Sequence, residues 1–399
     1  MNADAARIAV ITPFLDKSHG SERCLAEQVE RLARHYPICI YTHRVDGLDL
    51  SSGNISVRRI PAVPGPHLIK YAWFFVANHA WRSYDTIFRG ARYAVRYSPC
   101  INCLDANVIA VHIVFHARPR QAAKMVFSDV PLRDWPRSLH RKIYLGVIMA
   151  LERLIYRKSK LVMIYVSNRV SEEMREYFAR SNEGDVVIYH GVATSYFNPA
   201  DRRKLRARER EKIGIVDSDF VLLLIGNDWA AKGLPTLVDA MARLRDPRFK
   251  AVVVGRDSVH PYQRRISRAK LDGQVLFLAP SDDVLRFYAL ADAYVGASLE
   301  DAFAMPPMEA MACGLPVIVS CRAGVSELIT DGHDGLILND PMDSEDLAAK
   351  IARLGEDREL SRMLGEHGCR TVQRYTWDDN ATRLKQAIDP ILAGDHQVQ

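Results

Sequence analysis

The sequence predicts an α/β fold of two doubly wound, Rossmann-like domains, on three observations. The chain has 399 residues, more than one hydrophobic core usually organises, so two domains of about 200 residues each are expected. Short apolar runs alternate with stretches of helical periodicity through both halves, as parallel sheets with helices on their faces require. A run of mixed charge, ADRRKLRARERE at residues 200–211, interrupts that alternation and reads as a solvated helix or linker. The boundaries drawn from these are residues 1–199 for the first domain and residues 200–375 for the second, with a last helix at 376–399 after it.

In the first half, RIAVITPF (7–14) reads as a buried strand, and SERCLAEQVERLARHY (21–36) as a helix with Leu25, Val29 and Leu32 on one side. Gly20 lies between them. A glycine there lets the backbone approach a ligand, or simply makes a tight turn with Ser21 as N-cap. Residues 37–43 and 56–60 read as further strands. HLIKYAWFFVANHAWRSY (67–84) is dense in aromatics and is read as a core helix in preference to one lying in a membrane interface. AVRYS (94–98) and VIAVHI (108–113) are the next strands, the second carrying His112 with His116 just beyond. A histidine at the carboxyl end of a parallel strand stands where a ligand crevice opens, although such a residue is often only hydrogen-bonded to a loop.

SLHRKIYLGVIMALERLIYRKSK (138–160) reads as a long helix with Leu139, Ile143, Val147, Leu151 and Leu154 along one side and basic clusters at both ends. It is either a packed helix with solvated ends or a basic amphipathic surface for anionic lipid. LVMIYVS, NRVSEEMREYFARS and VVIYHGVATSYFNP follow as strand, helix, strand and exit loop.

FVLLLIG (220–226) restarts the strand pattern. Asn227 and Lys232 stand in the loop after it, ahead of a helix with Leu234, Leu237, Val238, Met241 and Leu244 on one face. A lysine at that edge can neutralise a diphosphate; the plainer alternative is a surface lysine near a helix start, where the dipole disfavours it. KAVVVG, VLFLAP, AYVGAS and PVIVS continue the alternation, and TWDDNATRLKQAIDPILA (376–393) closes the chain as a helix capped by Thr376.

The second half is organised around LEDAFAMPPMEAMACGLPVIVS, Leu299 to Ser320. Asp301 lies in the turn after AYVGAS, and Glu309 in the first turns of a helix that Pro306 or Pro307 opens and Gly314 closes. The start of such a helix directs unpaired NH groups to the carboxyl edge of the sheet, where phosphates bind. Carboxylates on both sides of that turn repel a bare phosphate and suit the hydroxyls of a sugar or ribose. An acid that merely favours the helix dipole is the plainer explanation.

Composition sets further limits. An apolar fraction of 48% is globular, and seven scattered cysteines read as thiols of a reducing compartment. Cys100 and Cys103 have a zinc-knuckle gap but no matching second pair, so no metal is expected. MNADAARIAV shows no basic leader and apolar core, and no uncharged run approaches the ~20 residues of a membrane span. A cytoplasmic protein, attached at most to a membrane surface, is therefore expected. Residues 51–160 hold 18 Lys and Arg against 5 Asp and Glu, which marks one basic face or partner site.

The run from Pro306 to Val317, with the two acids ahead of and within it, resembles the donor-binding signature of the retaining, nucleotide-sugar-dependent glycosyltransferases of family four. That signature pairs two acids around a Phe-Gly turn and continues Glu-Ala-Met-Ala-x-Gly-x-Pro-Val. Here the turn is Phe303-Ala304, and Asp301 stands where glutamate is usual. The resemblance implies the GT-B architecture, two Rossmann-like domains facing across a cleft, with the last helix at 376–399 joining the first, a nucleoside-diphosphate sugar on the second and an acceptor on the basic first.

It also implies residue roles. Glu309 accepts ribose hydroxyls, while Lys232 and the amides near Ala304 and Met305, in the turn with Phe303, hold the diphosphate. Asp301 and His112 contact the sugar, and Gly20 falls in the family's glycine loop, where His19 replaces a second glycine. Asn227 stands in an arginine position, leaving one of two expected cations missing, for which Arg256 is a candidate. Lys232, Asp301 and His112 form the expected catalytic set.

The implied chemistry retains anomeric configuration by front-face attack and needs neither metal nor cofactor. The basic first half points to an acidic acceptor, a lipid-linked sugar phosphate or an anionic polysaccharide, and to contact with an anionic membrane. A nucleotide-sugar 2-epimerase shares the architecture and is one rival. A non-enzymatic polyanion or membrane binder is the other; nucleic acid is not expected, since Asp301 and Glu309 have no use at the centre of a polyanion site.

Overall fold

A computed structural model describes residues 8–17, 20–51, 53–117 and 135–394. His19 and the end of the expected last helix, residues 395–399, lie outside the described residues. The strands of the first half are β1 (Ile8–Ile11), β2 (Phe14–Leu15), β3 (Ile38–Thr42), β4 (Arg44–Val45), β5 (Ile55–Arg59), β6 (Val95–Pro99), β7 (Val108–Val111), β8 (Val162–Tyr165) and β9 (Val186–Val187). The second half adds β10 (Phe220–Ile225), β11 (Phe249–Val254), β12 (Val275–Leu278), β13 (Ala293–Gly296), β14 (Val317–Ser320) and β15 (Leu336–Leu338).

These strands form two parallel sheets of orders β5-β3-β1-β6-β7-β8-β9 and β12-β11-β10-β13-β14-β15, plus a short β2-β4 pair. In each large sheet the chain builds outward in one direction and then reverses beside its first strand, at β1/β6 and at β10/β13. That reversal is the switch point at which doubly wound folds open a ligand crevice. Strands such as IAVI, VIAV and VIVS are buried along their whole length, as helices on both faces of a parallel sheet demand. The expected strand at 7–14 instead breaks at Pro13, so that Phe14 and Leu15 pair separately with Arg44 and Val45; proline has no NH to continue the ladder.

Two compact units result. The first runs to Tyr189 and resumes at Asn380; the second is His190–Asp379. The division therefore falls ten residues before the expected one at residue 199, and of the two readings of the charged run the helix holds, with only part of its charge solvated. It is the helix Pro199–Glu211, started by an Asn198 cap and Pro199. Its arginines at four-residue spacing lie over one part of the second unit. Arg202 donates to the Ala291 carbonyl at 2.7 Å, Arg206 to the same carbonyl at 2.8 Å, and Arg210 to the Asp292 carboxylate at 2.8 Å.

Within the second unit the segment after His190 runs beside the segment before the last helix. Val192 donates to the Tyr375 carbonyl at 2.9 Å, and a Cβ at Gly191 would meet the Trp377 amide at 2.5 Å. The helix Trp377–Leu392 then places Leu384, Ile388 and Ile391 in the core of the first unit, with Ile8, Val10, Val108 and Ile164.

Two helices of the first unit depart from expectation. His67–Arg89 buries Phe74, Ala77, Asn78, Arg82 and Asp85 but leaves Ile69, Trp73, Val76 and Ile87 exposed, so the core reading holds for one face only. On Trp135–Ile155, Leu139, Ile143, Val147 and Leu154 of the expected stripe are exposed and Leu151 is half-buried, so of the two readings the packed one does not hold for most of it.

Candidate functional site

The site residues of the second unit stand at the carboxyl ends of β10, β11 and β13, where that sheet reverses direction. The loop after β10 is shaped by glycine. Gly233 has φ +84°, and a Cβ there would fall 2.0 Å from the Ala297 carbonyl oxygen. No other residue fits so close to the β13 loop. The Leu299 amide donates to the Ala231 carbonyl at 2.8 Å, tying the loop after β10 to the one after β13. Lys232 is thereby brought against Asp301, and the ammonium donates to the carboxylate in an ion pair. The two expected ligand contacts, one for a diphosphate and one for a sugar, are thus joined to each other.

Asp301 is held by its backbone as well. Its amide donates to the Arg322 carbonyl at 3.1 Å, its carbonyl accepts from Gly324 at 3.1 Å, and Oδ1 accepts from the Phe303 amide at 3.2 Å. The Phe303 ring is buried edge-on against His190, with centroids 4.9 Å apart. It therefore anchors the turn from within; with its amide on Asp301 and its carbonyl accepting from the Val325 amide at 2.7 Å, the part Phe303 plays is to position the turn.

Ala304 follows with φ +69° and ψ +100°, immediately before the helix Met305–Ala312. An L-residue rarely takes this conformation, which explains why glycine is the natural occupant. The first four amides of any helix lack internal partners, and Pro306 and Pro307 have none to offer. The donors available at this start are consequently Ala304 and Met305.

Glu309, 5% exposed, lies one turn further along the same helix. Its Oε2 accepts from the Tyr288 hydroxyl at 2.6 Å, and burial raises the Tyr288 pKa well above the ordinary tyrosine value, so the phenol stays protonated and donates. A carboxylate offers about four acceptor positions, so this bond orients Glu309 without exhausting it. Asn227 is exposed, and its Oδ1 accepts from the Arg256 amide at 2.9 Å. The uncharged residue in the arginine position and its candidate replacement are therefore neighbours, at the ends of β10 and β11.

Gly20 and His112 belong to the first unit. Gly20 begins the helix Gly20–Leu32 and is exposed. His112 lies just past β7, half-buried, and desolvation pushes its pKa down to about 4 against a weaker opposing pull from Glu22. It is a neutral imidazole at neutral pH. His116 is committed elsewhere: its Nδ1 lies 2.5 Å from Glu152, which also accepts the Phe115 and His116 amides at 2.8 and 3.2 Å. Two site residues carried no marked signal in the sequence. Gly233 is set apart only by its place after Lys232, and Tyr288 lies in a short helix, Leu285–Leu290, whose pattern shows no partner.

Fold and matched segment together define a class. Residues 206–371 match the family model described as "Glycosyl transferases group 1", so the second unit carries a segment of that type on a GT-B fold. The chain is 31% identical over 192 residues to the lipopolysaccharide 1,2-N-acetylglucosaminetransferase of Salmonella typhimurium, covering 45% of this chain and 50% of that one. It spans about half the length of the curated relatives it matches. Among solved structures, WaaG, a glycosyltransferase involved in lipopolysaccharide biosynthesis, superposes with TM-score 0.75 at 17% identity, over 96% of this chain and 99% of that one. HepE of Anabaena, in complex with UDP and glucose, superposes with TM-score 0.71 at 20% identity over the same shares, 96% and 99%. These likenesses establish the fold.

Proposed function

We propose that this protein transfers a hexosyl group from a nucleoside-diphosphate sugar to an acceptor, with retention of anomeric configuration and without metal or cofactor. The observation that carries the reading is the turn from Asp301 to Glu309, where two acids flank a helix start and Lys232 reaches the first of them. The HepE structure, which holds UDP and glucose on the same fold, supports a donor of this class.

In this reading Glu309, aligned by Tyr288, accepts ribose hydroxyls. The amides of Ala304 and Met305 and the Lys232 ammonium take the diphosphate, while Asp301 and His112 take sugar hydroxyls. Breaking the bond to the anomeric carbon leaves negative charge on the departing diphosphate. Fixed donors and an ammonium stabilise that charge as it develops. The leaving phosphate accepts the acceptor proton, so no side-chain nucleophile is assigned. Without a donor, Lys232 rests on Asp301; the arriving diphosphate competes for it.

The acceptor is an acidic, lipid-linked or polysaccharide glycan bound by the basic first unit. The Salmonella relative, named for lipopolysaccharide, and WaaG, involved in its biosynthesis, point the same way. The test is donor turnover with a panel of UDP, GDP and ADP sugars. Lys232→Ala lowers turnover of the preferred donor by ~10²-fold or more; unchanged turnover removes Lys232 from the mechanism.

A further inference from the structure

We infer that the outward faces of helices His67–Arg89 and Trp135–Ile155 form a docking surface for an anionic phospholipid bilayer. On the first helix Ile69, Trp73, Val76, Tyr84 and Ile87 recur at helical spacing and are exposed, Val76 at 66% and Ile87 at 72%. They lie opposite Phe74, Asn78 and Asp85, which are buried, so this helix is apolar on two faces and the second has no cover among the described residues. From Ile69 to Ile87 the stripe is about 27 Å long at 1.5 Å per residue. The second helix repeats the arrangement with Leu139, Ile143, Val147 and Leu154, the last 58% exposed. The helices touch: the Leu68 amide donates to His140 at 3.3 Å, and the His67 and Tyr144 rings meet edge-on with centroids 4.9 Å apart. Apolar surface of this extent marks an interaction site rather than scattered exposure.

Charge identifies the partner. Each helix contains a single acid, Asp85 or Glu152, and they are 5% and 0% exposed. The outward charge is basic, from Lys70 and Arg89 on the first helix, Arg153 on the second, and Arg157, Lys158 and Lys160 just beyond it. Beside Ile87 opens a cavity of roughly 440 Å³ lined by His79, Arg82, Arg92 and Arg96, with Asp105 its one acid. Arg82 is engaged by Asp105 at 2.7 Å through both terminal nitrogens, yet its buried Nε has no partner among the described residues, and Arg92 is exposed.

Apolar stripes at the headgroup boundary with cations on the phosphates around them are the composition of a helix lying in an anionic interface. A second copy would bring like charge against like. No helix among the described residues is long and apolar enough to cross a membrane, so the contact lies along the surface.

The inference is independent of the sugar-transfer reading, and its test uses no donor. The full chain is co-sedimented with vesicles of phosphatidylcholine alone and of phosphatidylcholine mixed with phosphatidylglycerol, at low and high salt. Expected is binding to the mixed vesicles at low salt, weakened several-fold by high salt. The double variant Val76→Asp, Ile143→Asp is expected to lower that binding about tenfold while keeping the melting profile of the parent. Absence of binding to phosphatidylglycerol vesicles, equal binding to phosphatidylcholine alone, or equal binding by the folded double variant overturns it. So does a dimer that the double variant dissolves.

Discussion

Ala304 offers a quantitative check on the geometry of the donor turn. Its φ of +69° and ψ of +100° place an L-residue in a sparsely populated region, at a cost of about 1–3 kcal/mol. Glycine at this position carries no Cβ and escapes that strain, but forfeits roughly 0.5–1 kcal/mol to the greater freedom of the unfolded chain. Removing a half-buried methyl group costs under ~0.8 kcal/mol more. Near the middle of the strain range, Ala304→Gly is therefore expected to stabilise the second unit by ~0.5–1 kcal/mol. For a unit of this size, 1 kcal/mol moves the melting point by ~2–4 °C, so a rise of about 1–4 °C is predicted. Differential scanning calorimetry of parent and variant at one scan rate measures it. The amides at 304 and 305 keep their direction, so donor affinity should hold. A fall in melting point of 2 °C or more would refute the strain argument and with it the turn geometry.

Other predictions concern the loops around the site. Gly233→Ala drives a methyl group to 2.0 Å from the Ala297 oxygen at φ +84°, so a loss of about 3 kcal/mol or more in urea unfolding is expected; a loss below ~1 kcal/mol contradicts the close approach. Asp301→Asn releases Lys232 from its ion pair, so pyrophosphate binding by calorimetry should tighten several-fold while turnover falls. Unchanged affinity would mean the pair does not compete with a ligand. His112 has its folded pKa pushed from 6.5 down to about 4, so the unfolded chain takes up a proton that the folded chain refuses. Its contribution is full above about pH 6.5 and lost as pH falls toward 4. Between pH 7 and pH 5 the parent should therefore lose more stability than His112→Gln, and equal losses in urea midpoint would contradict the assignment.

What the sequence disclosed follows from what is local in it. Strands buried on both faces need unbroken apolar runs, so Phe220–Ile225 and Val317–Ser320 were legible without partners in view. The helix start at Met305 was legible too, because its prolines, acids and closing glycine stand within a few positions of one another. The Lys232–Asp301 ion pair was not, since it joins residues 69 positions apart through the adjacency of β10 and β13. The Tyr288–Glu309 bond is hidden for the same reason, across 21 positions.

Periodicity also gives the faces of a helix without saying which one is inward. Leu139, Ile143 and Val147 form a regular stripe that turns out exposed, while Arg202, Arg206 and Arg210, which looked solvated, bind the second unit at Ala291 and Asp292. A charged helix can be structural when its cations meet carbonyls at the end of another helix, and composition alone does not distinguish the two.

The most direct test of the account separates the two halves of the donor by calorimetry. UDP, GDP and ADP are titrated into the parent, Glu309→Gln and Lys232→Ala, with inorganic pyrophosphate as the reference ligand. Glutamine keeps an oxygen for the Tyr288 hydroxyl and presents an amide where the ribose needs a carboxylate. The account predicts that at least one nucleoside diphosphate binds the parent. It predicts that Glu309→Gln weakens that ligand by ~10-fold or more while leaving pyrophosphate unchanged, and that Lys232→Ala weakens both. Failure of all three nucleotides to bind, or equal losses for nucleotide and pyrophosphate in Glu309→Gln, would contradict it.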